Sequence, residues 1–143
     1  MPELKPPRIL IVDDDELILE ALKRQLHSRF DVTTATEGKQ ALKLVMSEEP
    51  FAMVVSDLRM PGMDGVTLLY LIRRAAPNTV RVLLTGKADL EAATSAINEG
   101  NIFRLLNKPC PTGMLLRALE AAVEQYRLTT RAVTKFFEIK NHV

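Results

Sequence analysis

At 143 residues, 47% hydrophobic and 26% charged, the chain has the size and make-up of one globular domain with a full core. No apolar run approaches a membrane span, and Met1-Pro2-Glu3-Leu4-Lys5-Pro6-Pro7 offers no signal-like apolar segment before Arg8. Cys110 is the single cysteine, which excludes an internal disulfide and a cysteine-clustered metal and suits a reducing cytoplasm.

The first strand is predicted over 8–13, where Ile9-Leu10-Ile11-Val12 lacks alternation and so suits a strand covered on both faces. A helix follows over 15–27, with Leu17, Ile18, Ala21, Leu22 and Leu26 on one side. A second strand spans 30–35. The second helix, 38–47, turns Ala41, Leu42, Val45 and Met46 inward. Phe51-Ala52-Met53-Val54-Val55 makes a third strand over 51–56. Pro61-Gly62 then marks a loop, and Asp64 is placed to cap a helix over 65–75 that carries Val66, Leu69 and Ile72, with Ala76 just beyond. Pro77-Asn78 ends that helix before a fourth strand over 80–84. The fourth helix, 89–98, bears Ala92, Ala93, Ala96 and Ile97 and is expected to end at Gly100. A fifth strand follows over 102–106.

The last helix begins near Pro111-Thr112 and meets no Gly or Pro after Gly113. Leu115, Leu119, Ala122, Tyr126, Thr129, Val133 and Phe136 fall at alternating steps of four and three, a heptad stripe. The net charge of +1 is unevenly spread. From Tyr126 onward Arg127, Arg131, Lys135 and Lys140 outnumber a lone acid, Glu138, for +3, and the preceding 125 residues carry −2. A basic tail on a mildly acidic body suggests a separate task for the tail, although a solvated helix face is the commoner use of such charge.

Strands alternating with helices imply a parallel sheet covered on both faces and joined by right-handed crossovers. The polar residues that close the strands would then share one rim, where open α/β sheets place their sites. They are Asp13-Asp14 after the first strand, Asp57 after the third, Thr85 after the fourth and Lys108-Pro109 after the fifth. Three carboxylates, a hydroxyl and an ammonium suit a divalent cation and a phosphoryl group. Helix N-terminal acids would account for Asp15 and for Asp14, but not for Asp57 at another strand end.

These pieces resemble the receiver domain of bacterial two-component response regulators, of the chemotaxis-receiver kind. The matching segments are Ile9-Leu10-Ile11-Val12-Asp13-Asp14, Asp57 with Met60-Pro61-Gly62-Met63-Asp64-Gly65, Thr85-Gly86 and Lys108-Pro109. The resemblance covers 8–126, leaving 1–7 as a tail and 127–143 as a helical extension or linker. It implies a doubly wound, flavodoxin-like five-stranded parallel sheet of order 2-1-3-4-5 with an extended C-terminal helix. It implies Asp57 as the acceptor of a phosphoryl group from a sensor histidine kinase or phosphotransfer protein. It implies a Mg²⁺ site from Asp14, Asp13, Asp57 and the carbonyl of Arg59, with Lys108 pairing a phosphoryl oxygen and Thr85 turning its hydroxyl to that group. The signal would pass through the fourth helix, fifth strand and fifth helix.

Two features depart from the common pattern. Where the family places Tyr or Phe three residues before the lysine stands Leu105, with Phe103 two residues earlier on the same strand face. Arg59 and Lys87, two positions after Asp57 and Thr85, are both long and basic. They are predicted to crowd the hydrolytic water and to lengthen the life of the aspartyl phosphate. The segment 98–104 is similar to receivers joined to cyclic-dinucleotide phosphodiesterases.

The main alternative is a haloacid-dehalogenase-like phosphatase using Asp13. It leaves Asp57 unexplained and lacks a Thr or Val at Leu17 and an acidic pair after Lys108. A flavin carrier of the same sheet order would need a Ser/Thr/Gly-rich first loop in place of three aspartates. The expectation is therefore a signalling domain rather than a turnover enzyme, in the cytoplasm, with no direct nucleic-acid or membrane contact. Its partners would be the phosphodonor, an output domain beyond this chain, and a second copy through the last helices.

Overall fold

The computed structural model describes residues 5–47, 49–99 and 101–141, without the side chains of Lys87 and Ser95. In chain order it runs β1 (Arg8–Val12), α1 (Glu16–Leu26), β2 (Asp31–Ala35), α2 (Gly38–Val45), β3 (Met53–Asp57), α3 (Gly65–Ala75) and β4 (Val80–Thr85). A 3-10 turn over Lys87–Asp89, α4 (Leu90–Asn98), β5 (Arg104–Asn107) and α5 (Thr112–Asn141) complete it. All strand pairs are parallel, in the expected order β2-β1-β3-β4-β5.

The sheet is dressed on both sides because its central strands are apolar on both sides. Ile9, Ile11, Met53, Val55, Val82 and Leu84 face α1 and α5, and meet Leu19, Leu26, Leu115, Leu119 and Ala122 there. Leu10, Val12, Val54 and Leu83 face the other way, onto Ala41 and Val45 of α2, Leu68, Leu69 and Ile72 of α3, and Ala93 and Ala96 of α4. Each fully buried leucine in these layers stabilises the fold by about 1.5–3 kcal/mol relative to exposure. Asp15 caps α1 by accepting from the amides of Leu17 and Ile18, and Asp64 caps α3 by accepting from Thr67.

Several expected details shift. β3 begins at Met53, so Phe51 and Ala52 are buried ahead of the strand and Asp57 is its last residue. Leu17 is 75% exposed, because α1 presents Leu19, Leu22 and Leu26, an i, i+3, i+7 set, to the sheet. Met46 sits at the C-cap of α2 and is exposed, as is Ile97 at the end of α4. Gly100, expected to end α4, lies outside the described residues. α5 is 30 residues long, or about 45 Å. Its buried residues stop at Val123, Tyr126 is half-buried, and Val133, Phe136, Phe137 and Ile139 are exposed.

Candidate functional site

Four parallel strands end at one level, and their last residues meet there. Asp13 follows β1 directly. Its side chain is buried and its backbone amide donates to the carbonyl of Ala35 at the end of β2 (3.2 Å). One carboxylate oxygen of Asp13 accepts from the amide of Asp15 (2.9 Å), and the other accepts from Lys108 Nζ (2.9 Å). Lys108 follows β5, and its own amide is held by the carbonyl of Thr85 (2.8 Å). The same ammonium reaches Asp57 Oδ1 at 3.0 Å. One cation is therefore shared by two carboxylates from different strands. Asp14, exposed at the mouth, completes the cluster, and oxygens of Asp13, Asp14 and Asp57 all lie within 4.8 Å of one another.

Burial sets the electrostatics. Desolvation raises the Asp57 carboxyl above its ordinary value. The hydrogen bond and charge of Lys108 pull it down, Asp13 pushes it up again, and burial prevails. Burial alone would depress Lys108, but its hydrogen bonds to Asp13 and Asp57 carry it above the ordinary lysine value. Asp57 is thus a carboxylate short of solvation, and its neighbour is a firmly charged ammonium. Three carboxylates around a space bordered by an ammonium fit a hard divalent cation that takes oxygen ligands and keeps some of its waters.

Two glycines shape the rim. A Cβ on Gly65 would lie 2.1 Å from the carbonyl oxygen of Asp57, so only glycine lets α3 start this close to the acceptor strand. A Cβ on Gly86 would meet nothing within 4 Å outside its chain neighbours, so the rim is open at that position. The hydroxyl of Thr85 is buried and has no hydrogen-bond partner among the described residues.

The side chains of Asp13, Asp14, Asp57 and Lys108 are thus brought together, with Thr85 beside them through its backbone bond to Lys108. The expected crowding is not what the Arg59 side chain does. Arg59 turns along the rim, and its Nε and Nη2 both donate to Asp89 Oδ1 (3.0 and 2.7 Å). The side chain of Lys87 lies outside the described residues. Sequence reasoning does not reach Asp89, which a 3-10 turn after β4 brings to Arg59. Phe103 lies ahead of β5, 39% exposed, with the Arg104 guanidinium 5.5 Å from its ring centre, while Leu105 packs against the α4-side core. Neither supplies an aromatic ring beside Thr85 within β5.

The response regulator receiver domain model matches residues 9–120. The hydrogenase transcriptional regulatory protein HoxA of Cupriavidus necator is 32% identical over 120 residues, covering 84% of this chain and 25% of that protein. This chain therefore spans about a quarter of the length of the curated relatives it matches. Among solved structures, one described as an adenylate cyclase from Rhodopirellula baltica is 42% identical with a TM-score of 0.89, covering 92% of this chain and 98% of that one. The signal receiver domain of an HD domain-containing protein from Pseudomonas fluorescens Pf-5 is 39% identical with a TM-score of 0.84, covering 92% and 96%. Nothing in these matches supports the phosphatase alternative built on Asp13. The rim, the sheet order and the match along residues 9–120 agree, and the chain belongs to the response regulator receiver domain family.

Proposed function

We propose that Asp57 takes a phosphoryl group from a phosphohistidine of a sensor histidine kinase or phosphotransfer protein. The observation that carries this reading is Lys108 Nζ bridging Asp13 (2.9 Å) and Asp57 (3.0 Å) beside Asp14. An Asp57 oxygen forms the new P–O bond as the donor's P–N bond breaks, and the bonding pair leaves on the imidazole nitrogen. Burial favours this step, because a carboxylate poorly solvated in the folded chain holds its lone pair less tightly. Lys108 stays protonated and pairs a phosphoryl oxygen, releasing part of its hold on Asp57. Asp13, Asp14, Asp57 and the carbonyl of Arg59 would hold Mg²⁺, which when bound neutralises charge on the phosphoryl oxygens.

The domain is modified and reset rather than turning over a substrate. Thr85 is poised for the new group: its buried hydroxyl has no hydrogen-bond partner among the described residues and would turn to it. A shift of Thr85 toward the phosphoryl group would pass to α4, β5 and α5. Because Leu105 is aliphatic, that relay works through packing against α4 rather than through a swinging ring. Exposed apolar residues on distal α5 point to a second copy as one partner. From Gln125 to Ile139 the residues flanking the heptad stripe carry no charge, and Arg127, Arg131, Lys135 and Glu138 lie away from it. Two parallel copies would bring no like charges together over that span, and Lys140, the next position of the stripe, would face its own copy only at the end of the helix.

The test is incubation with Mg²⁺ and acetyl phosphate, followed by intact-protein mass and peptide mapping. One phosphoryl group on Asp57, absent from Asp57→Asn, is the expected result. Equal labelling of that variant would overturn the assignment.

A further inference from the structure

The Arg59–Asp89 pair lies at the rim, between the ends of β3 and β4, which are hydrogen-bonded neighbours with Asp57 paired to Leu84. Arg59 is two residues past the acceptor. Asp89 closes the 3-10 turn that leads into α4. Both guanidinium contacts converge on one carboxylate oxygen, and the Arg59 side chain is 72% exposed. Such a surface pair holds its geometry only weakly.

The charge of the rim changes when Asp57 is modified. Asp13, Asp14, Asp57 and Lys108 sum to two negative charges, which a divalent cation cancels. An acyl phosphate replaces one negative charge on Asp57 by nearly two on the phosphoryl group. A surplus negative charge then stands within a few ångströms of the Arg59 backbone, and the phosphoryl oxygens and Asp89 compete for one guanidinium.

We propose that Asp89 is a positioning residue for reset of the domain: it holds Arg59 aside and keeps the path of the hydrolytic water open. This rests on the reading of Asp57 as acceptor. In the reset step a water oxygen bonds to phosphorus from the side opposite Asp57. The P–O bond to Asp57 breaks, its pair returns to the carboxylate, and the water's protons pass to phosphate and solvent. Arg59 freed from Asp89 would donate to the phosphoryl oxygens and stand across that approach.

The experiment follows phosphoryl loss by mass after labelling with acetyl phosphate and removal of excess reagent, in Mg²⁺ buffer. Asp89→Ala and the isosteric Asp89→Asn are expected to slow decay by about threefold or more, the scale of one charge-assisted hydrogen bond gained by the ground state. Asp89→Glu, which keeps the carboxylate, should decay near the wild-type rate. In an Arg59→Ala background, Asp89→Ala should add nothing. Decay of Asp89→Ala and Asp89→Asn at or above the wild-type rate would overturn the proposal, as would slowing that persists without Arg59. A wild-type chain that takes no label at Asp57 would instead overturn the acceptor reading beneath it.

Discussion

The rim of the sheet and the distal half of α5 are both open to solvent, but they are open in opposite ways. At the rim, charged groups from different strands are locked within about 3 Å of each other, with Lys108 between Asp13 and Asp57. Along distal α5, Phe136 is 62% and Ile139 61% exposed, and the rings of Phe136 and Phe137 meet edge to face, 5.9 Å apart. The rim is a preassembled cluster that, on the reading proposed above, awaits only a small ion and a transferable group. The helix face is an exposed apolar surface, which on the same reading is half of a contact with a second copy. Chemistry is thus preorganised by the sheet, and the response is left to surfaces far from it. If that division is right, the two regions can be disabled separately.

The largest separation comes from Asp57→Asn. Labelling by acetyl phosphate should vanish, while light scattering of the unmodified variant matches unmodified wild type. A changed oligomeric state before any phosphorylation would join what is here held apart. Asp14→Ala comes next. It should keep the circular dichroism of the fold and weaken Mg²⁺ binding by at least about tenfold, ~1.4 kcal/mol, measured by titration calorimetry. Unchanged affinity would remove Asp14 from the metal site.

The converse change ends the chain at Tyr126. It should be labelled at Asp57 as fully as the whole chain and remain a monomer with or without beryllofluoride. The whole chain should associate, more strongly with beryllofluoride. Two monomeric chains in both states would refute self-association through α5.

A finer cut lies within the rim. Thr85→Val replaces a buried unpartnered hydroxyl by a methyl of the same shape, so the unmodified protein should gain on the order of 1 kcal/mol, about 2–4 °C in Tm. Its further gain on adding beryllofluoride should be smaller than that of wild type. A loss of stability in the unmodified state would mean the hydroxyl already has a use there.

The smallest effect is on pH dependence. Because burial raises the Asp57 carboxyl, the folded state binds its proton more tightly than the unfolded chain does. Stability is therefore lost as pH rises from about 3.9 through the raised folded value. Asp57→Asn should melt higher than wild type above that window and alike below it. Thermal melts across acid and neutral pH in metal-free buffer would show the crossover or its absence.

Much of the rim is legible in the sequence because a parallel sheet converts strand ends into neighbours. Asp13, Asp57, Thr85 and Lys108 are far apart in the chain, yet each follows an apolar run, and that is enough to bring them together. Helix faces are harder to read. Leu17, Ile18 and Leu19 are consecutive, so two phases of α1 fit the apolar pattern, and packing on the sheet selects the one with Leu19 inside. The partnership of Arg59 and Asp89 was hidden for another reason. It depends on a 3-10 turn after β4 that delivers Asp89 to the neighbouring strand's loop, and no periodicity signals such a turn. In α5 the heptad phase is correct, but the pattern runs on unchanged where burial stops. Burial there depends on how far the sheet extends, which the spacing of apolar residues does not encode.

The unbroken length of α5 also has a mechanical meaning. The helix is fixed to the sheet by Leu115, Ala118, Leu119, Ala122 and Val123 and continues for fifteen residues past Tyr126 to Asn141. That free part is a lever of about 22 Å. One degree of tilt at its packed base displaces its tip by about 0.4 Å over that length. A tilt of a few degrees from repacking of β5 and α5 would therefore reach the end of the helix as a displacement of about 1–2 Å.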